Sequence, residues 1–175
     1  VPASRTWHTS VVPSSAAETV GADTRPAWQI ALETMDRALA VGDISGAEMA
    51  WRHAYGLAIR SRQWPALLAA GDGALRIGDR VLVKRPYRAR AADAWRTALF
   101  LARAQQSVDG VLQVAEDFAR LGDAEGVTQV LRIADGLAAT DASGETRRRV
   151  LDARQRLTSP AGTNALGDPI LTLFP

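Results

Sequence analysis

AEMAWRHAYGLAIRSRQWPALLAAGDGALRIGD, residues 47–79, lies over AADAWRTALFLARAQQSVDGVLQVAEDFARLGD, residues 91–123, without a gap. Eleven of the 33 paired positions are identical, among them Ala50-Trp51-Arg52 with Ala94-Trp95-Arg96 and Gly78-Asp79 with Gly122-Asp123. An Ala-rich chain matches itself by chance at about one position in ten, so the two stretches read as copies of one unit. A third Gly-Asp pair, at 42–43, carries the period towards the N-terminus; the pairs stand 36 and then 44 residues apart. The second unit is therefore longer by eight residues, and they fall within GDRVLVKRPYRARAADAWRTA, residues 78–98.

Inside the units the apolar spacing is helical. Ala47, Ala50, Trp51, Ala54, Leu57 and Ala58 share one side of a helix. Start and stop signals predict seven helices. The first opens with Pro26 at its first helical position, and Asp43 or Ser45 caps the second, which runs to about Ser61. A third spans Trp64 to Ile77 and ends at Gly78; a fourth starts near Pro86 and runs to about Gln106. Ser107 caps a fifth that stops at Gly122, and Asp123 starts a sixth. Asp141 or Ser143 starts the seventh, which reaches about Leu157 and is polar apart from Val150, Leu151, Ala153 and Leu157. Its Arg147, Arg148 and Arg149 read either as a solvated face or as a phosphate-binding cluster. Between the third and fourth helices, RVLV at 80–83 alternates like a short extended segment.

The repeat resembles the tetratricopeptide repeat (TPR) family, whose unit of about 34 residues is two antiparallel helices joined by a turn. Aligned on the Gly-Asp pairs, the family's small residue early in the second helix is met by Ala47, Ala91 and Val127. The large residue four positions later is Trp51, Trp95 and Leu131, and the next small one is Ala54, Ala98 and Ala134. The first-helix glycine is met by Gly71, with Met35 and Ala115 in the other units, and the closing proline is absent. The resemblance covers residues 26–140. It implies an all-α fold: a TPR-like α-solenoid of three antiparallel helix pairs plus a C-terminal capping helix, spanning 26–157 between extended arms at 1–25 and 158–175. Such pairs cannot bury their apolar faces alone and depend on stacking.

In that family the first helices line a groove for peptides or helices. The corresponding positions here are Leu32, Leu68 and Leu112; Asp36, Asp72 and Glu116; and Ala40, Arg76 and Arg120. A row of acids beside a row of leucines would suit an apolar segment with a basic flank; equally, the leucines suit a core and the acids a solvated face. Family members that clamp a terminal carboxylate use Lys and Asn at these positions, so that activity does not carry over.

Composition narrows the function further. The net charge is +2, and of the 21 basic residues all but Lys84 are arginine. Residues 62–90 hold seven basic and two acidic groups, whereas 91–140 hold four and seven. A dipolar chain of this kind suits docking on other protein subunits or peptides, and nucleic acid is not an expected partner. Arg80, Lys84, Arg85, Arg88 and Arg90 make the inserted stretch the most basic place on the chain, either a solvated loop or a docking element. The absence of cysteine excludes disulfides, zinc-thiolate sites and cysteine nucleophiles. With only His8 and His53 as histidines, no triad or metal set is assembled, so no enzyme activity, metal or cofactor is expected.

The arms are rich in Ser, Thr, Ala, Pro and Gly, and Trp7, Ile170, Leu171, Leu173 and Phe174 are their candidate anchors. Burial of each such side chain stabilises by about 1.5–3 kcal/mol before ordering costs. The expected function is a non-catalytic interaction scaffold or accessory subunit that docks through the groove, the basic loop and the arms. The alternative is a permanent structural subunit of a large assembly, membrane-associated or not, such as a bioenergetic or photosynthetic complex, with the basic stretch facing the anionic headgroups of a membrane surface or an acidic subunit. Composition leaves the compartment open; the start at Val1 tilts the expectation towards an exported, periplasmic protein peripheral to a membrane.

Overall fold

The computed structural model describes residues 24–141 and 144–158. They form α1 (Ala27–Ala40), α2 (Ile44–Ser61), α3 (Trp64–Gly78), α4 (Arg85–Ala104), α5 (Val108–Leu121), α6 (Ala124–Ala138) and α7 (Glu145–Thr158). No strand occurs among the described residues, so the fold is all-α as the periodicity predicts.

Local chemistry sets the helix ends. Asp43 Oδ1 accepts from the Gly46 N–H at 2.8 Å, Ser107 Oγ from Gly110 at 3.1 Å, and Asp123 Oδ1 from Gly126 at 2.8 Å. Each satisfies a donor left over at a helix start. Asp43, not Ser45, is thus the cap of α2. Pro26 stands one residue before α1 with ψ 140°, outside the first turn where the sequence suggests it. Gly42 and Gly122, both at φ +77°, turn the chain out of α1 and α5 in the left-handed region.

Gly78 serves a different purpose. It lies inside the last turn of α3, where a Cβ would meet the Tyr87 Cβ at 2.9 Å. The same Gly-Asp signature therefore marks a corner twice and a close helix approach once. The insertion follows: Asp79–Leu82 turn and bend rather than extend, and α4 begins at Arg85 with Pro86 in its first turn. The extended segment expected at RVLV does not form, because it has no neighbouring strand to pair with.

Each helix packs on its successor, most extensively within α1–α2, α3–α4 and α5–α6. Contacts also join α1 to α3, α3 to α5, α5 to α7 and α4 to α6. Cross-links locate the two ends of this arrangement. Near the start of α4, Tyr87 and Arg90 reach Glu48 near the start of α2, while Arg88 donates to the Leu121 carbonyl at the end of α5. At the opposite end, Gln105 Nε2 donates to the Arg62 carbonyl at 3.0 Å.

Buried alanines on α2 (47, 54, 58) and α4 (91, 94, 98, 102) let the neighbouring helices approach closely, and a tryptophan from each packs against α3. Trp51 stacks on Tyr55 at 5.4 Å and donates to the Ala70 carbonyl at 2.7 Å. Trp95, fully buried, sits edge-on to Phe118 at 5.9 Å and covers Gly71, where a Cβ would lie 2.2 Å from its Nε1. The rigid indole has nowhere to retreat. Gly71→Ala is therefore expected to lower stability by about 1–3 kcal/mol through overpacking, despite the better helix propensity of alanine. Gly136→Ala, on an exposed part of α6 with open space at the added Cβ, should instead raise stability by up to about 1 kcal/mol. Urea unfolding of the two variants checks both signs.

Candidate functional site

Along α1, α3, α5 and α7 runs a series of ion pairs between successive odd-numbered helices. Arg76 grips Asp36 with Nε–Oδ1 at 2.9 Å and Nη2–Oδ2 at 3.2 Å. Arg120 reaches Asp72 at 3.1 Å, and Arg156 reaches Glu116 at 3.3 Å. Every carboxylate of the expected groove row is thus engaged by an arginine of the next odd helix. Arg76 and Arg120 belong to that row as the sequence aligns it. Arg156 was not legible as a member from the three-unit alignment, although it stands 36 residues after Arg120, the same step that separates Asp36 from Asp72. Asp152 follows Glu116 by the same step. The leucines of the row lie underneath: Leu32, Leu68 and Leu112 are 6, 7 and 9% exposed and belong to the core.

Arg120 is a hub. It bonds Asp117 as well as Asp72, and its guanidinium lies 6.0 Å from the centre of the Trp95 ring. Asp117, 1% exposed, leaves Oδ2 without a partner among the described residues. Burial pushes its carboxyl above the ordinary 3.8, more strongly than Arg120 pulls it down. Its neighbour Glu116 faces the surface towards Arg156, so the two adjacent carboxylates diverge as their spacing implies.

The inserted loop forms the second candidate surface. Arg88 is spent on the end of α5, and Arg90 pairs with Glu48 at 3.3 Å while lying over the Trp51 and Tyr87 rings at 5.5 and 5.0 Å. The Tyr87 hydroxyl donates to the same carboxylate. That bond, then those of Arg90, hold the Glu48 carboxyl below its ordinary 4.5 against the opposing effect of burial, and Glu48 in turn pushes the Tyr87 phenol up. Among the described residues Lys84 meets only the exposed Asp79, at 3.5 Å. Arg80 and Arg85 are exposed and have no carboxylate partner among the described residues. An open cleft of about 570 Å³ separates the loop from Glu48, Tyr87 and Arg90.

A further cleft of about 400 Å³ lies between α5 and α7, bordered by Asp109, Glu116, Arg149, Asp152 and Arg156. Arg149 is paired with Asp109 there, and Arg147 and Arg148 of the arginine run are exposed. His53 is exposed on α2. No cluster of three potential metal ligands occurs among the described residues, and no described helix is long and apolar enough to cross a membrane. Trp7, Ile170, Leu171, Leu173, Phe174 and His8 lie outside the described residues. No family model matches the chain, and no curated protein matches it.

The pH behaviour of the hub follows from its burial. Folded Asp117 keeps its proton to higher pH than in the unfolded chain, so its contribution to stability falls as pH rises above 3.8. Asp117→Asn, which stays neutral, is expected to be more stable than the parent at pH 7, with the difference closing as both are acidified. Thermal melts across that range test the sign. Glu48 has the opposite sense: its contribution is complete above 4.5 and fades as pH falls below it.

Proposed function

We propose that the chain is a TPR-like α-solenoid that acts as a non-catalytic scaffold or accessory subunit, docking on other proteins through the surface shared by α1, α3, α5 and α7. The observation that carries this reading is the regular line of arginine–carboxylate pairs between those helices. All three pairs are solvent-accessible, and such pairs contribute only about 0–1 kcal/mol each to stability. A partner can therefore exchange its own charges for those of the line at little cost to the fold. Alternating positive and negative groups at a fixed helical spacing give register and orientation more than raw affinity. Because the leucines of the row are core, recognition on this face is polar, and the sequence-based picture of an apolar guest gives way to a charged one.

The test begins with a partner that co-purifies from the native source and is then produced in pure form. Replacing Asp36, Asp72 and Glu116 together by alanine should leave helix content unchanged and weaken binding of that partner by at least about tenfold. An unchanged affinity in a variant that keeps its circular dichroism would remove this face from the docking function.

A further inference from the structure

The tip of the α3–α4 loop carries two adjacent apolar residues, Leu82 and Val83, that are 102% and 66% exposed. Around them stand Arg80, Lys84 and Arg85, all exposed; Arg80 and Arg85 lack a carboxylate partner among the described residues, and Lys84 is held only weakly by Asp79. The same end of the molecule also exposes Val41, in the turn after α1, and Met49, in the second turn of α2. Apolar side chains at a protruding tip, ringed by exposed cations of which two have no carboxylate partner among the described residues, are the pattern of a surface that enters a membrane interface.

We propose that this loop docks on an anionic lipid bilayer, with Leu82 and Val83 entering the interface and Arg80, Lys84 and Arg85 meeting lipid phosphates. Two features favour a bilayer over an acidic protein. Leu82 and Val83 border the open cleft of about 570 Å³ but project from the loop at 102% and 66% exposure, and a bilayer receives a projecting tip without needing a preformed hole. The cations sit on both sides of the tip in the chain, so they reach a continuous anionic plane together when the tip is inserted. The aliphatic stems of arginine and lysine extend the apolar contact while their heads remain at headgroup level. Arg88 and Arg90 take no part, because one closes α5 and the other holds Glu48. This proposal is independent of the charged face of α1, α3, α5 and α7.

The full chain is cosedimented with vesicles of equimolar phosphatidylglycerol and phosphatidylcholine, and with vesicles of phosphatidylcholine alone. Binding is expected only to the anionic vesicles and should weaken with added salt. Replacing Arg80, Lys84 and Arg85 by glutamine should lower the partition coefficient by about a hundredfold, at roughly fivefold per cation. Leu82→Ser with Val83→Ser should lower it by about tenfold and leave the remainder salt-sensitive. Because the chain has no cysteine, Leu82→Cys accepts a single environment-sensitive fluorophore. Its emission should shift to the blue on anionic vesicles, whereas the same label at Gln129→Cys, exposed on α6, should not respond. Absence of binding to anionic vesicles, equal binding by the loop variants, or equal response of both labels overturns the proposal. Loss of a protein partner by the glutamine variant without vesicle binding by the parent assigns the loop to a protein instead.

Discussion

The arrangement turns on how closely α3 and α4 approach, and one contact sets that distance. Trp95 lies across α3 where residue 71 has no side chain, and its far edge meets Phe118 of α5. A single indole therefore touches the helix before it and the helix after it. Any side chain at residue 71 would force α4 outward and disturb the seat of α5 as well. Tyr87 repeats the device about two helical turns away, resting against Gly78 while its hydroxyl reaches Glu48 on α2. The longest helix, α4, is thus held at several points along its length by aromatic side chains that need small partners. That is why the alanines and glycines of this chain are a packing requirement as well as a compositional bias.

The surface ion pairs act on top of that core and do a different job. Leu32, Leu68 and Leu112 supply burial beneath them, at about 1.5–3 kcal/mol for each side chain fully removed from water. The pairs above are exposed and individually weak. Their value lies in spacing: each arginine finds its carboxylate only if successive odd helices are in the correct register. Asp117 shows the cost when a carboxylate of this network turns inward. Its partner Arg120 serves Asp72 as well, and one of its own oxygens is left without a donor among the described residues.

Helix number, boundaries and most caps were legible because the signals are local. An Asp or Ser at the N-cap and a glycine at the C-terminal corner need no tertiary knowledge. Gly78 ends α3 as the sequence implies, but its packing role was not legible, because a glycine chosen for φ and a glycine chosen for clearance look alike in sequence; only the position of Tyr87 separates them. The row Asp36, Asp72 and Glu116 was legible by alignment, but its occupation by arginines was not, since each pair joins residues 40 or 48 positions apart. Around the loop, charge alone did not distinguish the engaged Arg88 and Arg90 from Arg80 and Arg85, which have no carboxylate partner among the described residues. Nor did it single out Leu82 and Val83, whose significance is their exposure.

α7 keeps the register of α5 on its inner side only. It rests on α6 and α5 as α5 rests on α4 and α3, and its buried residues, Val150 and Ala153, follow Val114 and Asp117 of α5 by 36 positions. Its outward residues follow a different rule. Arg147, Arg148 and Arg154 stand 36 positions after Val111, Leu112 and Phe118, all of which are buried in α5. A helix packed against that face of α7 would have to desolvate three guanidinium groups, one of them already paired with Asp135. Leu151, 36 positions after the buried Ala115, is left exposed among them. The inner half of α7 therefore keeps the packing positions of α5 while its outer half exchanges apolar residues for arginines, within one helix of 14 residues.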